Sequence, residues 1–156
     1  MRNLPWCQAL FYPATDLTGE PPSFEAFKDD PALTRDAVQR CRELYAPSPQ
    51  ARAEPRASPL LAPEETLRRA PPTYVLVAAR DVLRDEGVAY AQALARAGVD
   101  VTTEVVPGMR HGFAARLGRL PEARQAVARV CAWLQVRWDT AAAAATVPAG
   151  AATPRL

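Results

Sequence analysis

The chain holds one histidine, His111, inside the hexapeptide GMRHGF at 108–113. Imidazole is the side chain whose ordinary titration falls nearest neutrality, so a lone histidine framed by glycines is a candidate general base. Such a base needs a carboxylate that accepts from Nδ1–H, fixes the tautomer and stabilises the imidazolium. Nε2 is then free to take a proton from a nucleophile. Asp81 is the candidate acid, with Asp85 and Glu86 as competitors. Carboxylates at those two positions would also suit the first turn of a helix, where the peptide dipoles favour negative charge. Asp16 follows an apolar run as well, but a turn role is its simpler reading. A histidine in a loop is often a surface or structural residue, and spacing alone leaves both readings of His111 open. Gly108 and Gly112 would let its loop turn sharply and approach other backbone closely.

Whether Asp81 and His111 can meet depends on the elements that carry them. TYVLVAA at 73–79 is β-branched and apolar on both faces, as expected of a strand in a covered parallel sheet. Asp81 lies just past its end. A helix is expected from Asp85 to Ala97, with Val88, Ala91 and Leu94 in line and Gly98 as its stop. VDVTTEVVP at 99–107 reads as the next strand, with one face more polar and hence near a sheet edge. His111 lies just past it. Strand, helix, strand is a parallel crossover, and neighbouring strands lie about 4.8 Å apart. Ligands of open α/β sheets sit outside the carboxyl ends of the strands, which is where both residues fall.

The remaining elements are expected around this unit. WCQALFY at 6–12 reads as a buried strand ended by Pro13, and the segment at 21–34 as loop. A helix begins after Thr34 as N-cap, with Val38, Cys41 and Tyr45 at helical spacing and Leu44 beside them. Residues 46–72 form a long proline-rich connection, with one or two helical turns in EETLRRA. A last helix starts at Pro121 with Val127, Val130, Leu134 and Trp138 as its apolar stripe. The fold class is therefore α/β. Residues 1–138 are expected as one partial domain, and 139–156 as a low-complexity Ala/Thr/Pro tail, disordered in its second half.

Composition narrows the function classes. The formal net charge is +2 and the 19 basic residues are spread along the chain, so no nucleic-acid surface is implied. No run approaches the ~20 apolar residues of a membrane span. Cys7, Cys41 and Cys131 are odd in number and lack metal-type spacing. Buried or free thiols in a reducing compartment, and a cytoplasmic protein, are the expectation. One histidine and such cysteines do not make an ordinary zinc site, and no cofactor is expected.

The opening QALFYPATD, then PRASPLLAP, then DVLRDEGVAYA with VVPGMRHGF, resemble the carboxy-terminal half of hormone-sensitive-lipase-type α/β-hydrolases. The resemblance runs from about residue 4 to about residue 136. It implies carboxylic-ester hydrolysis by a Ser-Asp-His triad, acting on a small-molecule ester. It implies Asp81 as the acid and His111 as the base. Asp85, Glu86, Gly108, Met109, Gly112 and Phe113 would be supporting residues. Met109, Phe113 and the loop around Leu60 and Leu61 would line one wall of the substrate site. Val82 stands where the family usually has proline, which loosens the turn after the acid but leaves the carboxylate in place.

The fold's nucleophile is the serine of a G-x-S-x-G turn, and its oxyanion donors include an HGGG-type loop. Ser23, Ser48 and Ser58 are the chain's three serines, and none is flanked by glycines. Ser58 could only replace the nucleophile against a simpler role in shaping its loop. None of the cysteines is expected in the exposed, electropositive setting of a reactive thiolate, since Cys7 falls in a strand and Cys41 and Cys131 on helices. The sheet is thus expected to be incomplete without an amino-terminal half, with about three parallel strands and an unblunted edge on the first. That edge would pair with the missing half or with another copy. Alone, the chain would be marginally stable, oligomeric or aggregating, and inactive. A chain of a two-chain hydrolase and a non-catalytic binding module on a degenerate hydrolase fold stay open as alternatives.

Overall fold

The computed structural model describes residues 5–146. Three strands, β1 (Gln8–Phe11), β2 (Thr73–Arg80) and β3 (Val101–Arg110), form a parallel sheet in the order β1-β2-β3. The central β2 alternates its apolar side chains between two covered faces. Val75 and Val77 pack against Ala91 of helix α5 (Arg84–Arg96), while Tyr74, Leu76 and Ala78 pack against Ala123, Ala126 and Val130 of helix α6 (Pro121–Thr146). Its residues from Thr73 to Ala78 are buried. Burial on both faces explains why this segment reads as an unbroken apolar run. β3 lies at the edge, and Val105 is exposed.

The register between β2 and β3 changes along the ladder. Thr73 pairs with Val101 and Ala78 with Val106, but Arg80 pairs with Arg110. β3 therefore takes two more residues than β2 over the last stretch. Pro107 brings no N–H to the ladder, and Gly108 sits at φ +72°, so this is where the chain can bulge. An insertion of two residues keeps the alternation of faces intact.

Four short or medium helices surround this unit. Helix α1 (Pro22–Ala26) stands in the segment expected to be loop, with Pro22 in its first turn and Phe24 buried. Helix α2 (Arg35–Tyr45) starts where expected, and the Thr34 hydroxyl accepts from Ala37 N–H. Its buried face is different from the expected stripe. Val38 and Arg42 are buried, whereas Leu44 and Tyr45 are 69% and 72% exposed and Cys41 is exposed. The side facing the sheet end offers Arg42 a carboxylate, described below. The proline-rich connection carries only short elements, α3 (Pro49–Ala53), a 3₁₀ turn at Pro59–Leu61 and α4 (Glu64–Leu67).

Helix α5 ends as read, with Gly98 at φ +86°. Helix α6 docks by small residues: Ala123 and Ala126 with Val130 are buried, Val127 and Leu134 are half-buried, and Trp138 is 62% exposed. Trp138 instead meets the other exposed tryptophan, Trp6, with ring centroids 5.6 Å apart. Alanines let the helix axis approach the sheet, so the buried line falls on them. Helix α6 continues past Trp138 through the alanine run to Thr146. The disorder expected for the second half of the tail falls on 147–156, outside the described residues. Among the described residues no helix is long and apolar enough to cross a membrane.

Candidate active site

The shifted register sets the site. Because Arg80 is level with Arg110, the next residues of the two strands, Asp81 and His111, leave the sheet side by side. The His111 Nδ1 lies 2.8 Å from Asp81 Oδ2. The second oxygen, Oδ1, accepts from the Leu83 N–H at 2.9 Å, so both carboxylate oxygens are engaged. Asp81 is buried, whereas the His111 side chain keeps a quarter of its surface exposed. A carboxylate in this position can accept from an Nδ1–H, and in that tautomer of the neutral imidazole Nε2 presents its lone pair. Gly112, at φ +72°, then turns the chain into a 3₁₀ turn at Phe113–Arg116. An αL position of this kind suits glycine because it carries no Cβ.

A cavity of about 400 Å³ opens beside the imidazole. Pro31, Ala32, Met109, Phe113, Leu120 and Arg116 surround it with His111, and Gly108 and Arg110 complete the rim. Phe113 is buried and packs with Leu76 and Val106, so one cavity wall is anchored in the core. Asp30, itself buried, pairs with Arg110 at 3.3 Å and ties the loop bearing Pro31 and Ala32 to the histidine segment. Leu60 and Leu61 are not part of this wall. Leu60 packs beneath α5 with Leu67 and Leu94, and Leu61 is exposed.

The rival carboxylates face other partners. Asp85 Oδ2 accepts from the Ser23 N–H at 2.8 Å and Oδ1 from Arg84 Nε at 2.8 Å. Burial would raise its carboxyl, but these hydrogen bonds and the Arg84 charge outweigh that and hold it below its ordinary value. Glu86 is buried at the start of α5. Its Oε1 accepts from the N–H groups of Thr15 and Asp16 at 2.7 and 3.3 Å, and its Oε2 meets Arg42 Nη2 at 3.1 Å. Burial pushes its carboxyl up to about 7, against those donors and the Arg42 charge. Both residues therefore hold the loops after β1 and around α1 against α5, and Asp81 is the carboxylate beside the imidazole. Asp16 closes a turn by accepting from Thr18 and Gly19 N–H, as its turn reading expects.

The three serine hydroxyls are committed elsewhere. Ser23 donates to Val82 O and accepts from Asp85 N–H, and Ser48 accepts from Ala51 N–H at the start of α3. Ser58, fully buried, donates to Arg52 O at 2.6 Å and accepts from Leu17 N–H at 2.8 Å. Ser58 thus shapes its loop, the role the sequence favours. Two participants have no clear sequence signal. Tyr12 lies against the imidazole, with ring centroids 4.5 Å apart. Arg42 lies outside the Val38, Cys41 and Tyr45 line expected from the sequence, yet it is buried one turn after Val38.

Residues 2–115 match the α/β-hydrolase fold family. An ethyl acetate hydrolase from Pseudomonas putida is 34% identical over 118 residues, which are 76% of this chain and 36% of that protein. Among solved structures, carboxyl esterase 2 of the mycorrhizal fungus Tuber melanosporum superposes with a TM-score of 0.78 at 36% identity, over 81% of this chain and 42% of that one. A fungal esterase from Rhizomucor miehei superposes with a TM-score of 0.83 at 36% identity, over 88% of this chain and 43% of the other. The chain thus spans well under half the length of each of these relatives.

Proposed function

The chain belongs to the α/β-hydrolase fold family, and from that premise we propose that it carries the acid and the base of a carboxylic-ester hydrolase. Asp81 is the acid and His111 the base. The observation that carries the reading is the 2.8 Å contact between Asp81 Oδ2 and His111 Nδ1 at the mouth of a cavity. The esterase relatives support the reaction class.

In this reading Nε2 of His111 takes the proton of a serine hydroxyl as that oxygen attacks the ester carbonyl. Asp81 stabilises the imidazolium that forms. The imidazolium then protonates the leaving alkoxide, and a water repeats the sequence on the acyl-enzyme. Met109, Phe113, Leu120 and Pro31 contact the apolar part of a small ester. No metal or organic cofactor takes part in these steps.

The nucleophile and the oxyanion donors come from polypeptide outside these 156 residues, since no G-x-S-x-G turn lies within them. That polypeptide pairs along β1. Among the described residues β1 is hydrogen-bonded to a strand on one side only, and a groove of about 520 Å³ lies beside its start, lined by Trp6, Cys7, Cys131, Leu134 and Trp138. A free strand edge next to an apolar groove is what another strand would cover. By itself the chain offers water a general base worth about 10²-fold.

The test is complementation. The chain is assayed on a short-chain p-nitrophenyl ester alone and then with the amino-terminal half of an esterase relative. Turnover should need both parts and vanish with His111→Ala. Equal turnover by the chain alone, or turnover indifferent to His111, would sink the reading.

A further inference from the structure

We propose that Tyr12 is a positioning residue for His111, its ring packed on the imidazole so that Nδ1 stays toward Asp81 and Nε2 toward the cavity. The inference rests on His111 being the base, but its test reads the imidazole directly and not turnover.

A single hydrogen bond cannot hold an imidazole in one orientation. The contact from Nδ1 to Asp81 fixes one atom and leaves the ring free to swing about that line. His111 also sits at the end of an edge strand and before Gly112, where backbone restraint is weak. A neighbouring group must pack against the ring. Tyr12 does so, with centroids 4.5 Å apart and planes tilted by 58°. Phe113 backs the tyrosine with its centroid 5.9 Å away at 62°. Phe113 is buried in the core, so the ring cluster is anchored.

The backbone at Tyr12 is unusual in a way that fits this role. Its φ is +39°, the one positive value at a non-glycine among the described residues. Bulky L-residues avoid this region because Cβ crowds the following carbonyl. Such strain persists only where the surroundings over-determine it, and it gathers at functional sites. Here the Tyr12 N–H donates to Leu76 O at 2.6 Å, a last rung of the parallel ladder. On the other side Pro13 lies against Gly87 of α5, where an added Cβ would stand 3.6 Å from the proline Cδ. The residue is clamped before and after, and its ring is delivered to the histidine. Burial, and then the negative charge of Asp81, push the Tyr12 phenol above its ordinary value. The ring stays neutral, so Asp81 supplies the negative charge that an imidazolium would face.

Because His111 is the sole histidine, its ring nitrogens give one set of NMR signals. The experiment records long-range ¹H–¹⁵N spectra of the uniformly labelled chain as wild type, Tyr12→Phe, Tyr12→Leu and Tyr12→Gly. Wild type and Tyr12→Phe should show the Nδ1–H tautomer with well-separated nitrogen shifts. In Tyr12→Leu and Tyr12→Gly the two shifts should move toward each other as the minor tautomer rises several-fold. Glycine also relieves the backbone strain, so loss of the fold is not forced on both variants. Unchanged nitrogen shifts in a folded Tyr12→Leu or Tyr12→Gly chain would overturn the proposal. So would absence, in the wild type, of nuclear Overhauser contacts between the Tyr12 ring and the His111 ring protons. That last readout needs no variant.

Discussion

Arg42 Nη2 lies 3.1 Å from Glu86 Oε2, with the two side chains 5% and 1% exposed. The guanidinium also donates to the carbonyls of Gly19 and Asp16, and it stacks over Phe24 with Cζ 4.6 Å from the ring centroid. Among the described residues Arg42 Nε has no hydrogen-bond partner. The pair pins α2 and the loop after β1 to the start of α5, one turn beyond Asp81. Buried pairs of this kind contribute little over a well-packed apolar replacement, but leaving one member alone costs about 3–5 kcal/mol. Arg42→Ala should therefore destabilise the chain by that order in urea melts at about pH 8, where Glu86 is ionised, whereas the double variant Arg42→Leu/Glu86→Leu should recover part of the loss.

Glu86 should also give stability a pH dependence. Folding raises its carboxyl from an ordinary value of 4.5 to about 7. Between those values the folded chain holds a proton that the unfolded chain has released. The contribution is full below the lower value and is lost as pH rises through the upper one. Glu86→Gln cannot titrate. The stability of Glu86→Gln relative to wild type should rise by an amount on the order of 3 kcal/mol between pH 4.5 and pH 8. Parallel stability curves for the two proteins across that range would refute the assignment.

Asp81→Asn should change the tautomer of His111. An amide can donate to Nδ1, which moves the ring proton to Nε2 and removes the basic lone pair from the cavity. The same replacement in a Ser-His-Asp protease lowers turnover about 10⁴-fold. In the complemented enzyme a loss of that order is expected, with the tautomer change visible by ¹⁵N NMR in the chain alone. A loss of tenfold or less would argue against Asp81 as the orienting acid.

Ser58→Ala separates a structural serine from a chemical one. The substitution leaves the buried Leu17 N–H without its acceptor, at a cost of about 1–3 kcal/mol. Melting should shift accordingly. The His111 nitrogen signals should not move, and complemented turnover at a temperature where the variant is folded should match wild type.

Gly87→Ala tests how closely α5 lies on the sheet. A Cβ at Gly87 would fall 2.9 Å from Val77 Cγ1, a side chain that is fully buried. Alanine gains up to about 1 kcal/mol in helix preference over glycine. Overpacking of this kind costs about 1–3 kcal/mol. The balance should be a net loss of about 1 kcal/mol in a denaturant melt, and a gain would mean the helix stands further from β2 than described.

Much of this architecture was legible in the sequence because it is local. The seven-residue run TYVLVAA of β-branched and apolar residues reads as a covered strand from its own composition, and Gly98 ends α5 by its own φ. Those elements already put Asp81 and His111 at neighbouring carboxyl ends. The tertiary structure decided the rest, because it depends on segments far apart in the chain. Two extra residues at the Pro107–Gly108 bulge set which side chain stands level with Asp81, and no periodicity reports a ladder register. Whether Arg42 faces water or the interior turned on Glu86, 44 residues away, since a buried guanidinium is tolerable only where a carboxylate and carbonyls meet it. The contact of Tyr12 with His111 likewise needed β1, β2 and β3 assembled side by side, for neither residue's neighbours in sequence name the other.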